Sequence, residues 1–161
     1  MVIMSAYVIV TFMCDSTIIS GGSMQPVIEN EDTVLINRFA YSFTKPKRYS
    51  VAAFKLPGSN SSKVYVKRVI GLPGEKIQIK DGHVYINGEQ LNDDVFTDTI
   101  LTAGLAANEI TLGKDEYFLL GDNRNNSEDS RFAGVGIVKE KNITGSVWAI
   151  VGPVKRLGFV K

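Results

Sequence analysis

Turn signals recur at short intervals along this chain, and their spacing leaves room for many short strands but for no long helix after residue 15. Asp81-Gly82 and Asn87-Gly88 each separate two short apolar runs, and both dipeptides are typical of β-hairpin turns. The β-branched run at 64–70 ends at a Leu-Pro-Gly turn. Further strands are predicted at 33–39, 51–56, 76–80, 83–86, 89–91, 117–120 and 147–151. The sequence therefore predicts a mostly β, antiparallel fold.

The scarcity of cysteine and histidine restricts the chemistry that the chain can use. Cys14 is the single cysteine and His83 the single histidine among 161 residues. One cysteine forms no intrachain disulfide, and a structural zinc site usually needs about four Cys or His ligands. His83 follows a hairpin turn, where an exposed strand end is more common than a catalytic base. The net charge of +1 gives no reason to expect a nucleic-acid partner.

The N-terminus is the apolar outlier of the chain. Residues 1–14 contain no charged side chain. A membrane span needs about 20 apolar residues, so this stretch is too short for an ordinary crossing. It also lacks the basic start of a cleaved signal peptide. Two interpretations stay open, a buried strand or helix and the outer half of a transmembrane anchor, and we favour the anchor.

Two residues form a candidate nucleophile and base. Ser23 lies in a glycine-rich bend, where backbone amides can stabilise an oxyanion, although most serines in such bends are only turn residues. A serine nucleophile needs an activating base. Lys67 shares a strand face with the apolar groups of Tyr65 and Val69, so burial would lower its pKa from about 10.4. The alternative is a lysine that extends from a strand edge into water.

A third segment, residues 121–131, follows the predicted strand at 117–120 and contains no apolar side chain. Such a run is usually a solvated loop. It could equally be a hydrogen-bonded shelf that holds a nearby base, with Ser127 orienting a lysine amine and Asp129 paired with Arg131. Composition alone does not decide between these two interpretations.

Together the three segments resemble the bacterial type I signal peptidases, and the short length is similar to the Gram-positive forms with one membrane anchor. Ser-Gly-Gly-Ser-Met-Gln-Pro at 20–26 is similar to their nucleophile motif. Tyr-Val-Lys-Arg-Val-Ile-Gly-Leu-Pro-Gly-Glu at 65–75 is similar to their catalytic-lysine motif. Gly-Asp-Asn-Arg-Asn-Asn-Ser-Glu-Asp-Ser-Arg-Phe-Ala-Gly at 121–134 is similar to their last motif. The resemblance is weakest at 92–112.

The resemblance implies a role for each matching residue. Ser23 would attack the scissile carbonyl, Lys67 would act as base and then as acid, and Ser127 would bind the lysine amine. Asp122 would pair with Arg68, and Asp129 with Arg131, to support the dyad from behind. Segments 18–21 and 64–66 would flank an extended substrate whose side chains at the first and third positions before the cut are small, as in Ala-x-Ala. The implied substrate-binding residues are Ile19, Ser20, Gly21, Met24, Ile28, Tyr65 and Val66.

The same resemblance implies an architecture and a location. Residues 1–15 would be the membrane anchor segment, entering the lipid bilayer, with its start missing or shortened here. Residues 16–161 would form an extracytoplasmic peptidase domain, an antiparallel-sheet catalytic core with a small inserted β lobe at 81–112. The enzyme would cleave signal peptides from secretory preproteins at the cell membrane, without metal or cofactor and without a nucleic-acid partner.

Three positions depart from the family pattern. Gly21 stands where some relatives have a hydroxyl that helps to bind the oxyanion, which would leave the Ser23 N–H as the main donor and Ser20 as a candidate helper. Val27 replaces a threonine after Pro26. Tyr49-Ser50 replaces a Gly-Asp pair, and with it a carboxylate and a turn glycine.

These departures keep two rival hypotheses open. One is a non-catalytic signal-peptidase-like assembly factor for surface fibres, against which the intact Ser23, Lys67 and Ser127 argue. The other is a self-cleaving repressor-like protease, which would need a DNA-binding domain and would find no room for one ahead of Ser23.

Overall fold

The computed structural model describes residues 14–58, 63–96 and 98–160 of the chain. Short strands dominate these ranges, because turn residues interrupt the chain every few positions. The strands are β1 (Cys14–Ile18), β2 (Thr33–Asn37), β3 (Val51–Phe54), β4 (Tyr65–Gly71), β5 (Lys76–Lys80), β6 (His83–Ile86), β7 (Glu89–Gln90), β8 (Ile110–Thr111), β9 (Glu116–Leu120), β10 (Val138–Lys139), β11 (Ile143–Gly152) and β12 (Gly158–Phe159). They are accompanied by one helical turn, α1 (Ala40–Phe43), and 3-10 turns at Gly104–Ala107, Glu140–Asn142 and Val154–Arg156. The prediction of a mostly antiparallel β fold is confirmed.

The larger sheet has eight strands in the order β1-β2-β11-β3-β4-β9-β10, with β12 alongside β11, and all its pairs are antiparallel. Strand β11 begins at Ile143, earlier than the predicted start at 147. Its first residues pair with β3, Ile143 with Phe54 and Gly145 with Ala53, and this pairing extends the strand ahead of Ser146, where pairing with β2 begins. Long-range partners therefore set the length of this strand.

The smaller sheet has the order β7-β6-β5-β8. Its two hairpin turns use Asp81-Gly82 and Asn87-Gly88, and all four residues have positive φ, as a type I′ turn requires. Strand β8 and the 3-10 turn at Gly104–Ala107 lie within 92–112, where the resemblance to the family is weakest. Strand β8 is too short to show a period, and it exists because Ile110 and Thr111 pair with β5.

Three apolar clusters fill the fold. The first joins the two sheets and includes Ile70, Ile77, Ile79, Val84, Ile86, Ile100, Ala106, Leu112, Phe118 and Leu120. The other two cover opposite faces of the larger sheet. Strand β3 contributes Val51 and Ala53 to one face and Ala52 and Phe54 to the other, so it is buried on both sides. This double burial makes β3 and its neighbour β4 a rigid base for the side chains described below.

Most of the predicted anchor segment, residues 1–15, lies outside the described residues. Its last two residues, Cys14 and Asp15, begin β1 and pair with Asn37 and Ile36 of β2. Residues 16–18 continue the same strand. Among the residues that the structure describes, no helix has the length and apolar character needed to cross a membrane.

We predict that Gly145→Ala destabilises the fold by about 1–3 kcal/mol, because the alanine methyl group would overpack the buried contact between β11 and β2. A Cβ at Gly145 would lie 2.6 Å from the backbone oxygen of Asn37 and 2.7 Å from Cγ2 of Ile36, so β11 and β2 would have to separate. The measurement is the free energy of unfolding in urea.

Gly158→Ala is the matched control for this substitution. Gly158 lies in an exposed strand, and its nearest neighbour is Arg156 O at 3.9 Å from a built Cβ. Its unfolding free energy should stay within about 0.5 kcal/mol of the parent. Equal free energies of unfolding for the two variants would contradict the close approach of β11 to β2.

Candidate active site

The nucleophile candidate lies in the turn that follows β1. Gly21 has φ 98° and donates its N–H to Oδ1 of Asn30 at 2.8 Å. Residues with a side chain rarely adopt this backbone conformation, so the position favours glycine over a hydroxyl residue. Gln25 closes the turn by donating its N–H to the carbonyl of Gly22 at 3.2 Å. Ser23 is thus held in a tight bend at the end of an edge strand.

Lys67 donates a hydrogen bond from Nζ to Oγ of Ser23 at 2.7 Å, which brings together the two residues singled out as nucleophile and base. Lys67 is only 5% exposed and lies on β4, where its Cα partner is Ala52 of β3. Burial lowers the pKa of the Lys67 amine below its ordinary value, while the carboxylates of Asp129 and Asp122 oppose that shift. The amine is therefore neither solvated nor extended into water.

Behind the dyad, residues 121–131 form a shelf of paired charges. Nε and Nη2 of Arg68 donate to the two carboxylate oxygens of Asp122, each at 2.7 Å, and both side chains are buried. Nε and Nη2 of Arg131 donate to the two oxygens of Asp129, each at 2.8 Å. Burial raises the pKa of Asp122, and the hydrogen bonds from Arg68 oppose that rise.

The shelf is also attached to the end of β9. Asp129 accepts a hydrogen bond from the Gly121 N–H at 3.0 Å, and Ser130 Oγ accepts one from the Leu119 N–H at 3.0 Å. The segment is polar because it satisfies buried backbone and arginine groups, which resolves the choice between a solvated loop and a structured shelf.

Ser127 lies close to the nucleophile but is not bonded to the lysine. Among the described residues its buried Oγ has no hydrogen-bond partner. A Cβ added to the buried Gly121 would collide with Ser127 Oγ and with the carbonyl oxygen of Ser23. Both atoms therefore border the space beside the Gly121 Cα, and they leave no room there for a side chain.

A third buried ion pair was not anticipated from the sequence. Arg124 donates to both carboxylate oxygens of Asp94, at 2.5 and 2.6 Å, and the two side chains are 1% and 9% exposed. The ring of Phe96 lies 5.5 Å from the guanidinium of Arg68 and 5.9 Å from that of Arg124. The segment around Asp94 showed no pattern, and only the folded chain brings it against the shelf.

Tyr49, one of the departures from the family pattern, has a left-handed backbone conformation that favours glycine. Its φ is 68°, a region that costs free energy for a residue with a side chain. Its hydroxyl donates to Oδ1 of Asp93 at 2.6 Å, and its carbonyl accepts a hydrogen bond from Arg68 at 2.7 Å. Burial and the neighbouring Asp93 raise the pKa of this phenol. The tyrosine therefore adds a contact between Arg68 and the segment beside Asp94.

A cleft of about 460 Å³ opens beside Ser23. Of the implied substrate-binding residues, it is lined by Ile19, Ser20, Gly21, Met24, Tyr65 and Val66, together with Thr17, Ile18, Gly22, Lys63, Val64, Asn126 and Glu128. Ile28 does not line it. The side chain of Ile28 is fully buried in the cluster that contains Met24 and Val66, and its N–H donates to the Met24 carbonyl at 2.9 Å. An apolar residue next to the nucleophile motif can be a wall or a core residue, and packing makes Ile28 a core residue.

His83 lies away from this cleft. It begins β6 in the smaller sheet, where it is exposed. Within the described ranges, no group of three or more His, Cys, Asp or Glu side chains is arranged to hold a metal ion. At the cleft itself, the buried amine of Lys67 lies within hydrogen-bond distance of the Ser23 hydroxyl.

The chain is similar to known proteins over most of its length. The family model described as signal peptidase, peptidase S26, matches residues 1–151. The chain is 32% identical to Signal peptidase I P of Bacillus subtilis subsp. natto, over 96% of this chain and 86% of that protein. It is 36% identical to Signal peptidase I V of Bacillus subtilis (strain 168), over 80% of each. A crystal structure of a signal peptidase I from Enterococcus faecalis V583 is 31% identical and superposes with a TM-score of 0.47, covering 64% of this chain and 97% of that one.

The breadth of these sequence matches decides between the hypotheses that the sequence left open. The family match extends from the first residue to 151, so it includes the nucleophile turn, the lysine strand and the shelf. It leaves no support for a repressor-like protease. The chain belongs to the signal peptidase family, peptidase S26, and is a serine protease of the bacterial type I signal peptidase class.

Proposed function

We propose that this protein removes N-terminal signal peptides from secretory preproteins at the membrane, using Ser23 as nucleophile and Lys67 as general base. The observation that carries the proposal is the 2.7 Å hydrogen bond between Lys67 Nζ and Ser23 Oγ, made by an amine that burial favours in its neutral form. A base within hydrogen-bond reach of a hydroxyl is the geometry that proton abstraction needs.

The reaction proceeds in two stages. In the first, neutral Lys67 takes the proton of Ser23 Oγ, which attacks the scissile carbonyl carbon and forms a tetrahedral oxyanion. The Ser23 N–H stabilises that oxyanion, with the Ser20 hydroxyl as a second donor. The C–N bond then breaks, and protonated Lys67 gives its proton to the leaving amine, the new N-terminus of the mature protein. In the second stage Lys67 activates a water that hydrolyses the ester between Ser23 and the signal peptide.

The cleft favours an extended peptide with small side chains. Segments 18–21 and 64–66 line it from two sides and offer backbone groups for strand addition. Met24 and Val66 are almost fully buried at its floor, so the apolar pockets are shallow. We therefore assign Ile19, Met24, Tyr65 and Val66 to the pockets that accept the small residues of Ala-x-Ala sites.

The proposed location follows from the order of the segments. The predicted anchor segment, residues 1–15, serves to hold the protein at the membrane through its residues before β1, because Cys14 and Asp15 already pair with β2. Residues 16–161, with the inserted lobe at 81–112, form the peptidase domain on the extracytoplasmic side. Strand β1 leads directly from residue 14 to the nucleophile turn. The cleft would then lie close to the bilayer, where the preprotein is bound.

The alternative of a non-catalytic assembly factor for surface fibres lacks a supporting observation. It would require a dyad that has been lost or separated. The two side chains are present and bonded, and Arg68, Asp122, Asp129 and Arg131 form the ion pairs that support them.

We predict that Ser23→Ala and Lys67→Met each abolish cleavage of a preprotein in detergent, because one removes the attacking oxygen and the other the base. Lys67→Met keeps an unbranched apolar side chain in the buried site, so the fold should persist, as measured by circular dichroism. Lys80→Met is the matched control, since Lys80 is exposed at the end of β5 and should leave the rate unchanged. Cleavage by either dyad variant at the parent rate would refute the proposed mechanism.

We predict that kcat/KM rises with pH and then levels off. Lys67 accepts a proton only in its neutral form, and the neutral fraction grows as pH rises through the pKa of the amine. Because burial lowers that pKa, the rise should occur below the ordinary lysine value of about 10.4. The measurement is initial-rate kinetics on an Ala-x-Ala peptide, with circular dichroism at each pH as the control for unfolding. A flat profile from about pH 5 to pH 9 would contradict a lysine base.

We predict that Ser127→Ala lowers kcat by roughly 10-fold to 10²-fold with little change in KM. Its hydroxyl is buried beside the nucleophile and has no partner in the described residues, so it is free to bind the Lys67 amine during turnover. Ser16→Ala is the control, because Ser16 is exposed on the edge strand β1. A Ser127→Ala variant with the parent kcat would remove Ser127 from the mechanism.

A further inference from the structure

Asn123 makes two hydrogen bonds to the nucleophile turn that the reaction outlined above does not use. Its side-chain Nδ2 donates to the carbonyl of Gly22 at 3.2 Å, and its backbone N–H donates to the carbonyl of Ser23 at 3.0 Å. The donor and acceptor residues are about a hundred positions apart in sequence. One residue of the shelf therefore contacts two consecutive carbonyl groups at the catalytic serine.

These contacts determine the direction of the N–H group that is to bind the oxyanion. The carbonyl of Gly22 and the N–H of Ser23 belong to the same peptide unit, which is trans. In a planar trans peptide the C=O and N–H bonds point in opposite directions. Nδ2 of Asn123 and the N–H of Gln25 both donate to the Gly22 carbonyl, each at 3.2 Å, so the two donors together direct the Ser23 N–H away from Asn123. Asn123 does not line the cleft, whereas Gly22 and Ser23 do.

The residue before Asn123 holds the other half of the dyad. Asp122 binds Arg68 through both carboxylate oxygens, and Arg68 is the chain neighbour of Lys67. Asp122 and Asn123 thus connect the lysine strand and the serine turn through two consecutive residues. A shift of this short segment would change the Lys67–Ser23 distance and the direction of the oxyanion donor together.

We propose that Asn123 is a positioning residue for catalysis, which orients the Ser23 N–H toward the developing oxyanion by holding the carbonyl of Gly22. The proposal rests on the proposed function, because it assigns a task to the same serine. Gly21 has no hydroxyl that could bind the oxyanion. Oxyanion binding in this chain therefore depends more strongly on the orientation of the Ser23 N–H.

Asn123→Asp is the decisive variant. It preserves the size of the side chain and the backbone N–H, but it places a carboxylate against the Gly22 carbonyl in place of an amide donor. We expect kcat to fall by about 10²-fold with KM nearly unchanged, because loss of one oxyanion donor costs about 10²-fold to 10³-fold in kcat. Asn123→Ala removes the donor without adding charge and should show a smaller fall of the same kind.

Asn125→Asp is the matched control. Asn125 lies in the same segment and is exposed, and its side chain bonds to the carbonyl of Thr99 and the N–H of Leu101 rather than to the serine turn. This variant should keep the parent kcat. Thermal melting of all three variants shows whether each is folded, and Asn123→Ala decides the question if Asn123→Asp does not fold.

A second readout separates positioning from a general structural effect. The oxyanion position can be probed with a peptide aldehyde of Ala-x-Ala sequence. Ser23 Oγ adds to the aldehyde carbon, and the former carbonyl oxygen of the resulting hemiacetal occupies the oxyanion position. Its affinity should fall in proportion to kcat in the Asn123 variants. The affinity of an uncleaved substrate peptide, measured in the Ser23→Ala background, should stay the same with and without the Asn123 change.

The outcomes distinguish this inference from the function on which it rests. Parent activity in folded Asn123→Asp or Asn123→Ala, together with loss of activity in Ser23→Ala, would overturn the inference and leave the proposed function standing. Equal losses of aldehyde and substrate binding would also overturn it, because they would indicate a distorted cleft. A parent protein whose cleavage does not depend on Ser23 would overturn both.

Discussion

The burial of one lysine amine is the constraint on which the active site depends. Lys67 lies on β4, next to the doubly buried β3, and is itself buried. Its charged form would lose hydration there without gaining a carboxylate partner of its own. The nearby carboxylates of Asp122 and Asp129 would favour the charged form, but each is bound at both oxygens by an arginine. The arginines thus offset the carboxylates, and the amine can stay neutral beside the Ser23 hydroxyl.

Paired charges also explain how an entirely polar segment can be part of the interior. Arg68, Arg124 and Arg131 are all buried, and each is bonded to an aspartate. Removing one partner of such a pair typically costs about 3–5 kcal/mol, because it leaves a buried charge without compensation. The pairs therefore act as a set that must form together, and they connect β4, β9 and the segment around Asp94 into one support. Ser127 is the exception, with a buried hydroxyl left unbonded among the described residues.

Two departures from the family pattern have a backbone explanation. Gly21 occupies a positive-φ position in the turn before the nucleophile, where a hydroxyl residue would be strained. Tyr49 occupies a positive-φ position as well, and its cost is offset by contacts to Asp93 and Arg68. Both changes alter how the site is supported while the dyad keeps its hydrogen bond.

The sequence by itself determined the antiparallel β class, both hairpin turns and the membership in a protease family, because these depend on local periodicity, on positive-φ residues and on contiguous motifs. Only the tertiary structure decided which strand β11 extends along, that Ile28 is a core residue, that Arg124 pairs with Asp94, and that Asn123 contacts the serine turn. These features depend on residues far apart in sequence, whose contacts have no local pattern. The 2.7 Å hydrogen bond of the dyad belongs to this second group, since two segments 44 residues apart meet there only when the sheet has formed.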